Sequence, residues 1–322
     1  MAHEIEGNYA FYASNQPAWH GLGTVLKDAP SVEQAWRIAY PHNLFKLPLS
    51  TRLEHDGGVE YAPITKACAI VRDDGKEIGV VGKDYELVQP YEAFKFFEPF
   101  IESGEVELEA GGSLRDGSRM WALSRVKGTI ADVTANDPVS GYFLVYTSFD
   151  GSLSHGIQFT ATRVVCANTL AIAMDAASKS NSVRLKHTKN IHERIEAVKT
   201  SVDIAKQSFV KSVGSYRALA RKQMSRKSQE DYIKRVILDK QINNPEISTK
   251  LENKVQRVIE LLDTQRGLDL VPAIRGTAWQ AYNAVTEYLT HEYGRDQDSR
   301  LNAQWFGDSA KQNSQALQLA LQ

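Results

Sequence analysis

The chain of 322 residues is 42% hydrophobic and 24% charged, which is enough apolar content to bury a substantial core and excludes a disordered protein. Its two cysteines are too few for a disulfide framework, and no stretch approaches the ~20 apolar residues that a membrane-spanning helix needs. Because the first residues also lack the basic and apolar regions of a secretory signal, we expect a cytoplasmic protein without membrane contact.

The net charge of −1 hides an uneven distribution of charge along the chain. Residues 1–150 contain 13 basic and 22 acidic residues, whereas residues 151–322 contain 25 basic and 17 acidic residues. The basic excess is strongest in residues 161–235, with 16 basic against 6 acidic residues. A basic stripe attracts polyanions and neutralises phosphates, although many basic helix faces are only solvated, and an acidic half can dock on the basic half of the same or another copy.

In chain order, the first 60 residues mix Gly, Pro and aromatic residues without a clean hydrophobic period. A tight loop packed by Trp19 is expected, and Ser31 is placed to cap a short helix. Two strand-like runs, residues 61–71 and 77–82, flank the turn signal Asp73-Asp74-Gly75 and predict a hairpin.

Aromatic residues then recur at helical spacing after Pro90, which predicts a helix that ends near Gly104 and covers one face of the sheet. A second group of strands is predicted at residues 106–111, 118–126, 141–148 and 156–162, with turns at residues 115–117, 136–138 and 150–151.

The next segment combines polar and Ala-rich positions. Residues 162–170 lead into an apolar stretch through residue 177, which predicts that a strand end feeds directly into a buried helix. Arg163, Asn168 and Thr169 should therefore gather where sheet and helix meet.

From residue 190 onward the hydrophobic pattern is helical. Apolar residues repeat every three or four positions between Ile191 and Val213, and further helices are predicted around Tyr232, Val255 and Trp279. Such stripes are typical of helices that bury one face. The tail, residues 308–322, predicts either a short packing helix or a frayed end.

These patterns predict an α+β fold with an antiparallel β-sheet core and a covering helix, followed by a C-terminal helical region. The predicted division places a sheet domain with an irregular N-terminal segment in residues 1–178. The helical region, residues 179–322, is basic in its first part and is expected to pack on the sheet domain.

The sequence contains no recognisable catalytic constellation. It has no phosphate-binding loop, no dinucleotide-binding glycine pattern and no zinc-binding helix. His187 and His192 are five residues apart, so a helix would place them on different sides rather than on one metal. Ser152 lacks the Gly-x-Ser-x-Gly pattern of a nucleophile, and His20 is read either as a backbone-bonded loop residue or as a functional one. We expect no catalytic residues, no metal and no cofactor.

Six segments of the sequence look like signature motifs of one protein family. They are a loop with Trp19, His20, Gly21 and Gly23, then residues 80–94, residues 163–170 with Asn168 and Thr169, and residues 184–191, 279–288 and 299–302. In this order they resemble the domain of unknown function 932, a family of phage/plasmid-like proteins. The resemblance implies an origin in a mobile element and supplies no active site. Pro90 stands where the family pattern would have Asn.

The favoured function is nucleic-acid binding, as in a single-strand DNA annealing or recombination accessory protein, because a basic helical region beside a sheet suits tracking of a phosphate backbone. The same cations could instead form a solvated face. The candidate phosphate contacts are Arg163, Arg184, Lys186, His187, Lys189, Arg221, Lys222, Arg226 and Lys227.

The alternative is a non-enzymatic protein-interaction factor of a mobile element, such as a regulator or a counter-defence protein with a host or phage protein as its partner. Its interface would be formed by Trp305, Phe306 and the apolar tail, which could equally pack the core. The opposite charges of the two halves favour a homo-oligomer.

Overall fold

The computed structural model describes residues 9–13, 23–165, 168–171, 182–190, 193, 202–242, 248–294, 300, 303–304 and 307–322. The strands are β1 (Ala10–Ala13), β2 (Thr24–Leu26), β3 (Leu44–His55), β4 (Gly58–Arg72), β5 (Glu77–Gly82), β6 (Val106–Leu114), β7 (Arg119–Asp132), β8 (Pro138–Ser148), β9 (His155–Arg163), β10 (Asn168–Leu170) and β11 (Ser182–Leu185). The helices are α1 (Val32–Ala39), α2 (Pro90–Lys95), α3 (Glu98–Glu102), α4 (Val202–Arg221), α5 (Arg226–Leu238), α6 (Thr249–Thr264), α7 (Ala278–Glu287) and α8 (Asp308–Leu321). The predicted α+β fold with a C-terminal helical region is confirmed.

Residue contacts divide the chain into two units. The first unit contains Met1–Lys127, Phe143–Gln158 and Ser182–Val202, and the second contains Gly128–Tyr142, Phe159–Asn181 and Asp203–Gln322. Strands β7, β8 and β9 contribute residues to both units, so this division does not follow sequence order. The predicted domain boundary after residue 178 stays a prediction.

The larger sheet has the strand order β10-β9-β8-β7-β6-β1-β2, and β11 also pairs with β9. The four predicted strands of the second group are β6 to β9, and β6 and β7 pair antiparallel across the predicted turn. That turn holds Arg115, Asp116 and Gly117 with φ of 50°, 55° and 82°. Its sequence is suited to this conformation, because Asp and Gly tolerate positive φ better than most residues.

The smaller sheet has the order β3-β4-β5. The predicted β4–β5 hairpin is confirmed, with Gly75 at φ 87° in its turn. The irregular reading of the first 60 residues is wrong for β3, a twelve-residue strand that pairs with β4 from Leu44 to His55. Pro48 interrupts this segment in the sequence, but proline is tolerated on an edge strand, which is where β3 lies.

The predicted helix after Pro90 is divided into α2 and α3, which join at Phe96 and Phe97. Both pieces pack on the larger sheet as expected: the Phe94 ring lies 6.4 Å from that of Phe11 in β1. The chain leaves α3 at Gly104, whose φ of 74° ends the helix.

The predicted helices around Tyr232, Val255 and Trp279 are α5, α6 and α7, and each buries its apolar stripe. Every residue of α7 is buried, which is the pattern of a helix surrounded by protein. The tail forms α8 and packs through Ala316 and Leu317. The chain does not enter a helix directly after β9, because residues 168–170 form β10; the predicted helix through residue 177 lies outside the described residues from residue 172 onward. Among the described residues, no helix is both long and apolar enough to cross a membrane.

Candidate functional site

Arg163, a predicted phosphate contact, lies in the core of the second unit. Its side chain and that of Asp137 are both fully buried, and Arg163 Nε donates to Asp137 Oδ1 over 2.6 Å. Trp279 Nε1 donates to the other carboxylate oxygen over 2.8 Å, and the guanidinium lies 5.8 Å from the Trp279 ring centre. The prediction for Arg163 is corrected: this side chain joins β9 to α7 and cannot reach a phosphate.

His187, another predicted contact, is also buried. Its ring stacks on Tyr85 at 4.6 Å between centroids, and Nδ1 lies 3.0 Å from the carbonyl oxygen of Glu86. A carbonyl can only accept, so Nδ1 carries the proton and donates it. Burial lowers the pKa of the imidazole below its ordinary 6.5. His187 is therefore neutral at pH 7 and is removed from the candidate cations.

The remaining predicted cations are exposed and fall into two groups. In the first unit, Arg184, Lys186 and Lys189 lie on β11 and just after it. In the second unit, the junction of α4 and α5 carries Arg221, Lys222, Arg226 and Lys227.

Two cations of the junction already have partners. Arg226 lies 2.9 Å from both Glu230 and Asp263, so its charge is balanced within the protein. Lys222 donates from Nζ to the carbonyl oxygen of Ala320 over 3.0 Å but keeps its charge. Within the described part of the chain, Arg221 and Lys227 form no ion pair.

On α5, sequence reasoning missed two further exposed cations, Lys234 and Arg235, about two turns beyond Lys227. We define the basic face as Arg221, Lys222, Lys227, Lys234 and Arg235. Residues 202–238, which form α4 and α5, hold nine basic and three acidic residues. The sequence predicted α5 from its apolar stripe. Lys234 and Arg235 lie at the positions of the same helix outside that stripe, so the same helical pattern would have predicted that they are exposed.

Two hydrogen bonds fix the junction between α4 and α5. The Ser225 hydroxyl caps α5 by accepting from the N–H of Ser228 over 3.2 Å. The N–H of Met224 donates to the carbonyl of Gly276 over 2.8 Å. A groove of about 360 Å³ lies beside the junction, lined by Lys222, Met224, Ser228, Asp231, Tyr232, Arg235, Leu319, Ala320 and Gln322.

Asn168 and Thr169, from a block that carries the family resemblance, fasten β10 to the end of α7. Asn168 Nδ2 donates to the Thr286 hydroxyl over 3.2 Å, and the Thr169 N–H donates to Thr290 over 3.2 Å. Because Nδ2 is the donor, Asn168 Oδ1 accepts from Nε2 of His291 at 3.1 Å. The expected proximity of Arg163, Asn168 and Thr169 is confirmed, since Asn168 pairs with Arg163 across β9 and β10.

Glu287 extends this group into what we call the buried polar cluster: Asn168, Glu287 and His291, with the exposed Arg266 at its edge. Arg266 Nε lies 3.2 Å from Glu287 Oε1, and Arg266 also lies 3.0 Å from His291 Nδ1. Burial raises the pKa of the Glu287 carboxyl to about 7, against the pull of Arg266. The π-helical turn Tyr288–Glu292 follows directly and places His291 toward Asn168. The cluster can therefore exchange a proton near neutral pH.

The loop residues Trp19, His20 and Gly21 lie outside the described residues, as do Trp305 and Phe306. Gly23 is described at φ 91°, and a Cβ there would lie 2.6 Å from the carbonyl oxygen of Ala10. Its place beside β1 therefore requires glycine for structural reasons.

One group of possible metal ligands, His42, Asp73 and Asp74, lies at the turn between β4 and β5. Its atoms are engaged in local contacts: Asp73 accepts from His42 and from the N–H of Asn43, and Asp74 accepts from Arg72. These hydrogen bonds explain why the three side chains lie together: they stabilise the turn between β4 and β5.

No curated protein and no solved structure matches the chain. A family model does match: Domain of unknown function (DUF932) aligns with residues 77–305, which include β5 to β11, the basic face and the buried polar cluster. The match covers more than half of the chain, so the protein belongs to the DUF932 family.

Proposed function

We propose that the protein binds single-stranded nucleic acid through the basic face, as a cytoplasmic annealing or recombination accessory protein of a phage or plasmid. The observation that carries this proposal is the concentration of exposed cations on α4 and α5. None of the five forms an ion pair with a described residue, so their charge is available to phosphates.

The groove beside the basic face favours a single strand over a duplex. Lys222 and Arg235 supply positive charge at this groove beside the carboxylate of Asp231, and Met224 and Leu319 supply apolar surface. An unpaired base can enter such a groove while its phosphates contact the neighbouring cations, whereas a paired base remains stacked in the helix.

The test is binding of a labelled strand of about 40 nucleotides, long enough to span several binding sites of the usual size. Binding is measured by fluorescence anisotropy between about 0.05 and about 0.2 M salt, with duplex as competitor. We expect tight binding whose affinity falls steeply with salt, because each released counterion contributes about −0.7 to the logarithmic slope for a single strand.

The decisive variant reverses three exposed cations of the basic face, Arg221→Glu, Lys227→Glu and Lys234→Glu. It should weaken binding by about 100-fold or more at low salt and lower the slope by about 2. The matched control reverses three exposed lysines of the first unit, at positions 27, 66 and 95, and makes the same change in net charge. We expect the control to bind almost as wild type.

If both variants lost affinity equally, the loss would follow from the change in net charge alone, and the proposed site would be contradicted. A third variant, Arg184→Glu with Lys186→Glu and Lys189→Glu, tests the other exposed group. If it alone abolishes binding while circular dichroism stays unchanged, the site lies at β11 and the basic face is wrong.

The alternative, a protein-interaction factor, rested on Trp305 and Phe306 and on an apolar tail. The tail no longer supports it, because α8 buries Ala316 and Leu317 within the protein. A different observation favours an interaction surface: the exposed apolar residues of β3 to β5.

A further inference from the structure

Strands β3 and β4 form a long hairpin, which we call the arm, paired from Leu44↔Arg72 at its base to His55↔Gly58 at its tip, with a register shift between Pro48 and Leu49 where residues 65–67 of β4 have no partner in β3. Strand β5 pairs only with residues 67–71 of β4, so the distal part of the arm is a two-stranded ribbon. A ribbon of this kind has no second layer of its own to cover its apolar side chains.

One face of the arm carries a row of apolar side chains. Successive side chains of a strand alternate between faces, so the odd positions of β3 share one face. Cross-strand pairing adds Val80 beside Leu47 and Ile64 beside Leu49. The resulting apolar row, ordered from base to tip, is Phe45, Leu47, Val80, Leu49, Ile64 and Leu53.

The apolar row is open to solvent. Phe45, Leu47, Leu53, Ile64 and Val80 are each between 39% and 53% exposed. Half of the exposed large hydrophobic side chains in the described residues belong to β3, β4 and β5. Such clustering is unusual for a monomer surface and is typical of an interaction site.

The opposite face of the arm differs in both burial and charge. At its base Leu44, Ile70 and Val81 are buried against the first unit. Toward the tip, charged and apolar side chains alternate, with Arg52 opposite Tyr61 and bonded to Glu54. Only the apolar row is therefore both uncovered and uncharged over most of its length.

The size of the row suits a modest but specific interface. Twelve residues at ~3.4 Å each extend about 40 Å, and two to three strands ~4.8 Å apart are about 10–14 Å wide. The face thus offers roughly 400–550 Å², and two such faces bury about 1,000 Å² in total, which is the lower bound for a specific protein interface.

We infer that the apolar row is the contact between two copies of this chain, packed face to face about a two-fold axis. Between Leu47 and Ala62 the paired residues of this face are uncharged, so a second copy meets this stretch without repulsion, and the same residues supply both sides of the contact. Two carboxylates flank this stretch on the same face: Glu77, which pairs with Val71 beside Phe45 at the base, and Glu60, which lies 3.5 Å from His55 at the tip. Pro48 and Lys46 disfavour pairing along the β3 edge, so the two sheets stack through their faces.

The experiment is sedimentation velocity of the full chain from about 1 to about 100 μM, a range that brackets micromolar dissociation constants. The test variant is Leu47→Lys with Leu53→Lys, both on the apolar row. The matched control is Ser50→Lys with Val59→Lys, which adds the same two lysines to the opposite face of the same arm. All four positions are exposed or lie on the solvated ribbon, and circular dichroism with thermal melting checks the fold.

We expect wild type and control to sediment as a particle of about twice 35.9 kDa, and the test variant as a monomer. The dissociation constant of the test variant should rise by about 100-fold or more, because a two-fold contact buries each new lysine twice. A wild-type monomer at every concentration would overturn the inference. So would a test variant that dimerises as well as wild type, because the contact would then use another surface.

Discussion

Glu287→Gln isolates the electrostatic cost of the buried polar cluster. The Glu287 side chain is 3% exposed, and its Oε1 lies 3.2 Å from Arg266 Nε. Burial raises the pKa of its carboxyl from an ordinary 4.5 to about 7, and the nearby Glu292 acts in the same direction while Arg266 opposes it. Glutamine keeps the shape of the side chain and removes the ionisation.

Proton linkage determines how the contribution of Glu287 to the free energy of unfolding changes with pH. The folded protein holds the Glu287 proton more tightly than the unfolded chain does, so the carboxyl's contribution to stability is complete below about pH 4.5. That contribution is lost as the pH rises through about 7, where the carboxylate must ionise in a buried position. The rise of the pKa from 4.5 to about 7 corresponds to at most about 3.4 kcal/mol.

The assay is urea unfolding of wild type and Glu287→Gln at several values between about pH 5 and about pH 8. The free energy of unfolding of the variant, relative to wild type, should rise by about 2–3 kcal/mol across this range. Groups that titrate identically in both proteins cancel in this difference. Glu102→Gln, an exposed carboxyl of α3, is the control and should show a small difference that does not change with pH. A flat difference for Glu287→Gln would refute the reasoning.

Two further substitutions test the packing that positions these sites. Asp137→Asn should lower the free energy of unfolding by about 3–5 kcal/mol, because it leaves the charge of Arg163 buried without its carboxylate; a loss below about 1 kcal/mol in urea unfolding would contradict a buried ion pair. Gly156→Ala should lower the thermal midpoint clearly, because a Cβ there overlaps the Tyr146 ring, whereas Gly82→Ala meets no atom within 4 Å and should change the midpoint little; similar midpoints would argue against close packing at β9.

Local patterns predicted those elements whose signals are local. Strands β4 to β9 alternate in hydrophobicity and end at Gly-containing or Asn-Asp turns, and α5, α6 and α7 repeat apolar residues with helical period. The exceptions have physical causes. Pro48 lies within β3 and made this segment look unlike a strand. The aromatic residues after Pro90 keep their helical spacing across the break between α2 and α3, so the sequence predicted a single helix. Residues 168–170 join the sheet because β9 offers an edge there, which their own sequence does not reveal.

Burial of individual charges was the part that sequence could not supply. Arg163 finds its partners at Asp137 and Trp279, 26 and 116 positions away in the sequence, and no local pattern records those distances. Glu287 did leave a signal. From Ala278 to Thr286 the helix carries no charged residue, and a helix without a charged face is buried on all sides. The first carboxyl at its end is therefore expected to lose part of its hydration.

The distinction between buried and exposed cations also decides how substitutions in the basic region are interpreted. Replacing Arg163 removes half of a buried ion pair, so any loss of nucleic-acid binding would follow a loss of folding. Arg221 and Lys227 lie on the solvent side of helices whose other side is core, so their reversal should leave the unfolding free energy nearly unchanged. A loss of affinity can be assigned to phosphate contacts only if it is largest at low salt and the free energy of unfolding is unchanged. We expect charge reversal on the basic face of the second unit to meet both conditions.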